Sequence, residues 1–138
     1  MTSNTKPIGV AYEDQNIIGP DFILSDSQLG YTATAQGTVT QATDKSTAVT
    51  LNKSAGRITL NAAALGATTN VSFTLNNSFI SANDVLIVTL SGGIATAGTY
   101  NCWVNTMSAG SASITLRNTS AGSLSEAVII NFALIHCV

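Results

Sequence analysis

Few side chains in this sequence can do chemistry. It has one imidazole, His136, and two thiols, Cys102 and Cys137, which lie 35 positions apart. A structural zinc site takes four soft ligands at close spacing, and neither a CxxC nor an HxxxH pair occurs. Only a symmetric ring of His136 side chains from three copies would gather imidazoles around a metal, so the single chain is expected to hold none. Nucleophilic catalysis needs a nucleophile, a base within hydrogen-bond reach and an orienting group. His136 lies in an apolar run, and no serine sits in a GxSxG elbow. Glycoside hydrolysis needs two carboxylates across a cleft. Beyond the first 35 residues only Asp44, Asp84 and Glu126 remain, each at a turn or the start of a strand, where acids are ordinarily solvated. The stretch SGGIATAGT (Ser91 to Thr99) has three glycines but no phosphate-loop lysine. The residues therefore indicate no catalytic group, no cofactor and no metal, and the protein is not expected to be an enzyme.

Composition narrows the partners. Charged residues make up 9% of the chain and apolar ones 45%, with a net charge of −2. Globular domains carry about 25% charged residues, so Ser, Thr and Asn, about a third of this chain, must form much of its surface. Nucleic-acid binding is not expected, because Lys45, Lys53, Arg57 and Arg117 make too weak a field even if they share a side. Trp103 and Tyr100 fall in one strand, where aromatic rings serve as core, as interface or, in the sharper reading, as a sugar-binding patch. A mean hydropathy of +0.32 excludes wholesale disorder. No basic stretch leads into an apolar signal core near Met1, so no signal peptide is expected. The longest apolar run, Ala127 to Val138, is interrupted by Asn131 and His136 and too short to span a membrane. A reducing compartment would leave Cys102 and Cys137 as free apolar fillers within strands; their pairing in one sandwich stays open.

The elements that position these residues divide near residue 36. Residues 1–35 hold both prolines, four of the seven acids and one base. Their apolar groups (Ile8 and Val10, Ile17 and Ile18, Phe22 with Ile23 and Leu24) follow no sustained period. This fits an extended arm pinned by apolar contacts better than a disordered leader, which would be poorer in such residues.

Residues 36–138 read as eight short strands: 37–41, 47–52, 56–61, 70–75, 84–91, 99–107, 111–118 and 126–138. Alternation such as Val71, Phe73 and Leu75 inward with Ser72 and Thr74 outward marks strands with one dry and one wet face. The expected fold is all-β, an antiparallel β-sandwich of jelly-roll-like form with an extended N-terminal arm. The run at 84–91 is nearly continuous in apolar residues and predicts an interior strand. A helical turn is expected over Ala62 to Leu65, capped by Asn61 and ended by Gly66. The last strand is apolar on both faces and should be central in its sheet or buried between subunits. Its Phe132, Leu134 and His136 are then candidates for core or subunit contact. Neutral Ser/Thr/Asn surfaces repel one another weakly, and uncharged strand edges invite coverage, so a multimeric structural protein is expected.

The run GTVTQATDKSTAVTLNKSAGRITLNAAAL, then VSFTLNNS, then SAGSLSEAVIINFALI, resembles a domain recurrent in virion proteins of tailed bacteriophages, and PIGVAYEDQNIIG resembles leaders on some of them. The resemblance spans about residues 36 to 138. It implies a β-sandwich trimer located on the virion and assembled in the host cytoplasm, as a capsid decoration (cement) protein or a fibre component. With one small domain and no coiled coil or repeat, decoration is the expectation. The partners would be two further copies and the major capsid protein, with Ile8, Val10, Tyr12, Ile17, Ile18, Phe22 and Ile23 of the arm as anchors. The alternative is a short tail-fibre, tail-tip or head-fibre protein that binds a host surface glycan. Neither role implies a cofactor, nucleic acid or a membrane.

Overall fold

Among the described residues, period-2 alternation becomes eight strands in two sheets. The computed structural model describes residues 29–137. The chain divides after Gly30, and the unit from Tyr31 onward contains every strand of the described residues. A 3-10 turn, Ala33–Ala35, leads into β1 (Gln36–Thr40). Then follow β2 (Val49–Thr50), β3 (Ala55–Thr59), β4 (Asn70–Asn76), β5 (Val85–Gly92), β6 (Tyr100–Ser108), β7 (Ser111–Asn118) and β8 (Ile129–Ile135). One sheet has the order β1-β3-β8-β5 and the other β2-β4-β7-β6. Every connection crosses between the sheets except the β6–β7 hairpin. The all-β sandwich expected from the alternation is present.

The pairing is not antiparallel throughout. β1 runs parallel to β3, and β2 parallel to β4; the other four pairs are antiparallel. The reason is the crossing itself. A parallel neighbour needs a long return path, and here the intervening strand in the opposite sheet supplies it. Gly37 and Gly56 are register partners in the β1–β3 pair. Their missing side chains make room for Leu51, whose methyls would lie 2.8 and 2.6 Å from a Cβ at either position.

The dry faces meet in one core. Ile58, Leu60, Leu75, Ile114, Leu116, Val128 and Ile130 are fully buried, with Phe73, Ala112, Phe132 and Leu134 beside them. β8 lies between β3 and β5, which accounts for its apolar character on both faces. β5 does not follow expectation. Its apolar run predicts an interior strand, yet it forms the edge of its sheet, and Val85 and Ile87 are half exposed. The helical turn at Ala62 to Leu65 is also absent. Asn61 does not cap a helix; its side-chain oxygen accepts from the amide of Ala63 at 2.8 Å, and Leu65 bridges Leu124 instead. Pairing with the β7–β8 link satisfies the Leu65 backbone in both directions, which a single helical turn could not.

Glycines at positive φ separate two costs. Gly93 has φ 68°, and a Cβ there would lie 2.0 Å from the backbone carbonyl oxygen of Ala127; Gly110 has φ 80° with nothing within 4 Å. Gly110→Ala is expected to cost about 1–2 kcal/mol for left-handed backbone alone. Gly93→Ala should cost about 3 kcal/mol or more, because neighbouring backbone must also move. Urea unfolding of both variants measures the difference.

Candidate functional site

The chemistry-bearing residues are distributed around the sandwich, and the structure gives each a definite neighbourhood. Asp84 precedes β5 and His136 follows β8, and the β5–β8 register that pairs Val85 with Ile135 brings the two together. His136 Nδ1 lies 2.9 Å from Asp84 Oδ1; the imidazole is more than half exposed and the carboxylate fully buried. Asp84 also accepts from the amide and hydroxyl of Ser81 (2.8 and 2.6 Å) and from the amide of Cys137 (3.0 Å). Burial alone would raise its pKa, but these hydrogen bonds together outweigh burial and hold it far below the usual carboxylate range. The expectation of a solvated acid at Asp84 is thereby corrected.

His136 also lines a shallow depression of about 360 Å³ together with Tyr31, Ser54, Phe79 and Leu134. The Tyr31 hydroxyl donates to the carbonyl of Leu134. Among the described residues the one hydroxyl bonded to the pair is that of Ser81, on the Asp84 carboxylate, and none is bonded to the imidazole. What it does structurally is clear: it ties the end of β8 to the start of β5.

A second buried cluster lies elsewhere. Lys45 is buried, and its ammonium donates to the backbone carbonyls of Asn61 and Glu126, the latter at 2.6 Å. Burial lowers its pKa, partly offset by the Glu126 charge. Glu126 Oε1 accepts from the amide of Ala95 at 2.8 Å, and Tyr100 lies by the same carboxylate. Burial, reinforced by that carboxylate, pushes the Tyr100 hydroxyl up to about 12. Asp44 alone among the three acids is exposed, and it organises its own turn through Ser46 and Thr47.

Other candidates separate. Tyr100 points into the core and Trp103 to the outer face of its sheet, so they do not form one aromatic platform. Trp103 pairs with Thr115, whose hydroxyl lies 2.7 Å from that of Ser72. Arg57 and Arg117 lie on the outer faces of opposite sheets, and Lys45 is buried, so the bases share no side. Phe132 and Leu134, candidates for a subunit contact, face inward and are each 4% exposed; they are core. The outward positions of that strand are Ile129, Asn131, Ala133 and Ile135. Cys102 and Cys137 are both free, and Cys137 lies beyond the end of β8. The arm anchors Ile8, Val10, Tyr12, Ile17, Ile18, Phe22 and Ile23 lie outside the described residues.

What the sequence reading missed is an apolar row on the outer face. Val85, Ile87 and Ile135 are 50, 46 and 50% exposed, with Val85 and Ile135 directly paired. A signal was available, since the 84–91 run carries apolar residues at successive positions, one more set than an edge strand can bury in its own core.

The Asp84 hydrogen bonds make a pH prediction. A depressed folded pKa contributes stability that is present above the unfolded value, near 3.8, and is lost as pH falls below it. Asp84→Asn is expected to lower the urea midpoint at pH 7, with the gap to the parent protein closing progressively below about pH 3.8. A gap that stays constant down to pH 2.5 would show that the carboxylate charge contributes nothing.

Comparison of the chain with protein-family models, with curated proteins and with solved structures returned no match in any of the three.

Proposed function

We propose that the protein is a structural component of a tailed-phage virion, a decoration protein that sits on the outer capsid as a homotrimer and stabilises the shell through its N-terminal arm. The observation that carries the associative part of this reading is the half-exposed apolar row Val85, Ile87 and Ile135 beside an edge strand without charges. Monomeric proteins rarely leave such edges unguarded. The virion assignment comes from the resemblance of residues 36 to 138 to phage structural domains. A compact knob with a short leader suits decoration, where affinity for the assembled shell alone stabilises it by mass action and three tethers multiply avidity. Deeply hydrogen-bonded Asp84 and Lys45 are parts of the scaffold in this reading.

A second reading, a short fibre component that binds a host glycan, is favoured by one observation: Trp103 lies on an outer face with Asn101, Thr115 and Arg117 around it. A glycan array distinguishes it.

Full-length protein mixed with undecorated heads of the parent phage is expected to co-sediment to a saturating ratio. A form lacking residues 1–30 should remain in the supernatant. Co-sedimentation of that shortened form at full occupancy would defeat the tether, and absence of the protein from purified virions would defeat the whole reading.

A further inference from the structure

β5 forms a corner of the sandwich with two different apolar surfaces on its two sides. On the outer face of its sheet is the row Val85, Ile87 and Ile135. Around the corner is the flank where the edge strands of the two sheets, β5 and β6, stack over one another. That flank is where the core is incompletely closed. Val88, Leu90, Ile94, Cys102, Val104 and Met107 all pack on the core yet remain only partly buried, and all lie on β5, β6 or their link. At the opposite flank, β1 and β2 contribute Val39 alone to this group, with Leu51 just beyond β2.

No charged residue or histidine occurs between Asp84 and Arg117, a stretch that includes β5, β6 and almost all of β7. Glu126 reaches the β5–β6 link, where it accepts from the amide of Ala95; β5 and β6 themselves carry no charge and so have little to repel another copy or to attract a charged partner. Among the described residues, β5 makes its backbone pairs with β8 only, so its outward edge is open. Eight residues at about 3.3 Å give a strip of roughly 26 Å, and two edges with their side chains are roughly 25 Å across, so a contact that covers the whole flank buries on the order of 1,300 Å² in total. Stable specific interfaces begin near this size.

We infer that this corner is where copies of the chain meet: the outer apolar row of one copy packs against the open β5–β6 flank of the next, and the copies close into a ring around an axis running beside β5. The two surfaces differ, so their contact is heterologous and forms a ring where the rotation between copies closes, whereas one self-complementary patch would give a two-fold pair. The inference rests on the proposed trimer and specifies the surface that makes it.

The test uses full-length protein and light scattering after size exclusion, with circular dichroism to confirm that each variant folds. The parent protein is expected at the mass of three 14.1 kDa chains, about 42 kDa. Ile87→Asp places a charge in every contact and should raise the dissociation constant at least about a hundred-fold, giving single chains at micromolar concentration. Thr38→Asp, on the outer face at the other edge of the same sheet, should leave the trimer intact. Should Ile87→Asp prove misfolded, Val85→Lys is expected to give the same dissociation. A parent protein that is a single chain at every concentration overturns the trimer itself. A parent trimer that persists in folded Ile87→Asp and Val85→Lys variants overturns the corner and leaves the trimer standing. A parent mass of two chains overturns the ring.

Discussion

A chain that crosses between two sheets at nearly every connection must satisfy the backbone of each crossing at the rim of a dry core. That constraint explains the buried polar side chains, which would otherwise look like defects. Asn118 Nδ2 donates to the carbonyls of Leu65, Gly66 and Gly122, while its oxygen accepts from Ser120. Asn77 ties Lys53 to Phe79 in the same way. Gln41 joins Lys45, Thr47 and Asn61. Each links loops far apart in sequence. An unpaired buried carbonyl or amide costs about 1–3 kcal/mol, so losing one such amide would leave several groups unsatisfied at once. Lys45 extends the same device with a charged donor. Its burial is tolerated because two carbonyls and a nearby carboxylate surround it.

The same economy shapes the surface. Side chains able to bond loop backbone, chiefly Asn, Ser and Thr, supply the polarity that Lys and Glu supply in most domains. The few charges that remain are drawn into local tasks. Asp44 orders a turn, Asp84 joins two strand ends, and Glu126 holds the amide of Ala95. Little charge is left to keep copies apart, and the flank with the least is the one where the core is least closed. Association and fold thus have a common origin in this composition.

Much of the fold was legible because alternation is a strong local signal. β7 coincides with the run Ser111 to Asn118, and β4 extends the expected strand by one residue. β2 shrinks to Val49 and Thr50, because only two residues find a partner in β4 before the chain turns toward β3. The helical turn at Ala62 failed since its propensity competes with the bridge from Leu65 to Leu124, a partner far along the chain that local sequence does not reveal. Asp84 was misread for a similar reason. Its partners Ser81 and Cys137 meet at one end of the β5–β8 pair but lie far apart in the chain, one three residues before Asp84 and the other beyond the end of β8, and only the pairing of the two strands joins them. The parallel pairs were unreadable, since alternation tells which face a residue takes and nothing of a strand's direction.

β5 and β8 posed one question and received two answers. Both are apolar on successive positions, which means that each strand has a second dry face to account for. For β8 the sheet itself accounts for much of it: neighbours on both sides leave Ile129 and Ala133 only partly exposed on the outer face. For β5 it does not. As an edge strand it has one neighbour, and its outer residues Val85 and Ile87 have no cover within the described unit. Selection for solubility alone would favour Thr or Lys at such positions, as Thr38 and Thr40 stand on the outer face of β1 at the opposite edge. The contrast lies between β1, polar along its outer face, and the first half of β5, where Val85 and Ile87 precede the outward Thr89 and Ser91; it is a property of the surface and not of strand formation. Both edges form strands equally well; only the Val85–Ile87 end is not dressed for water.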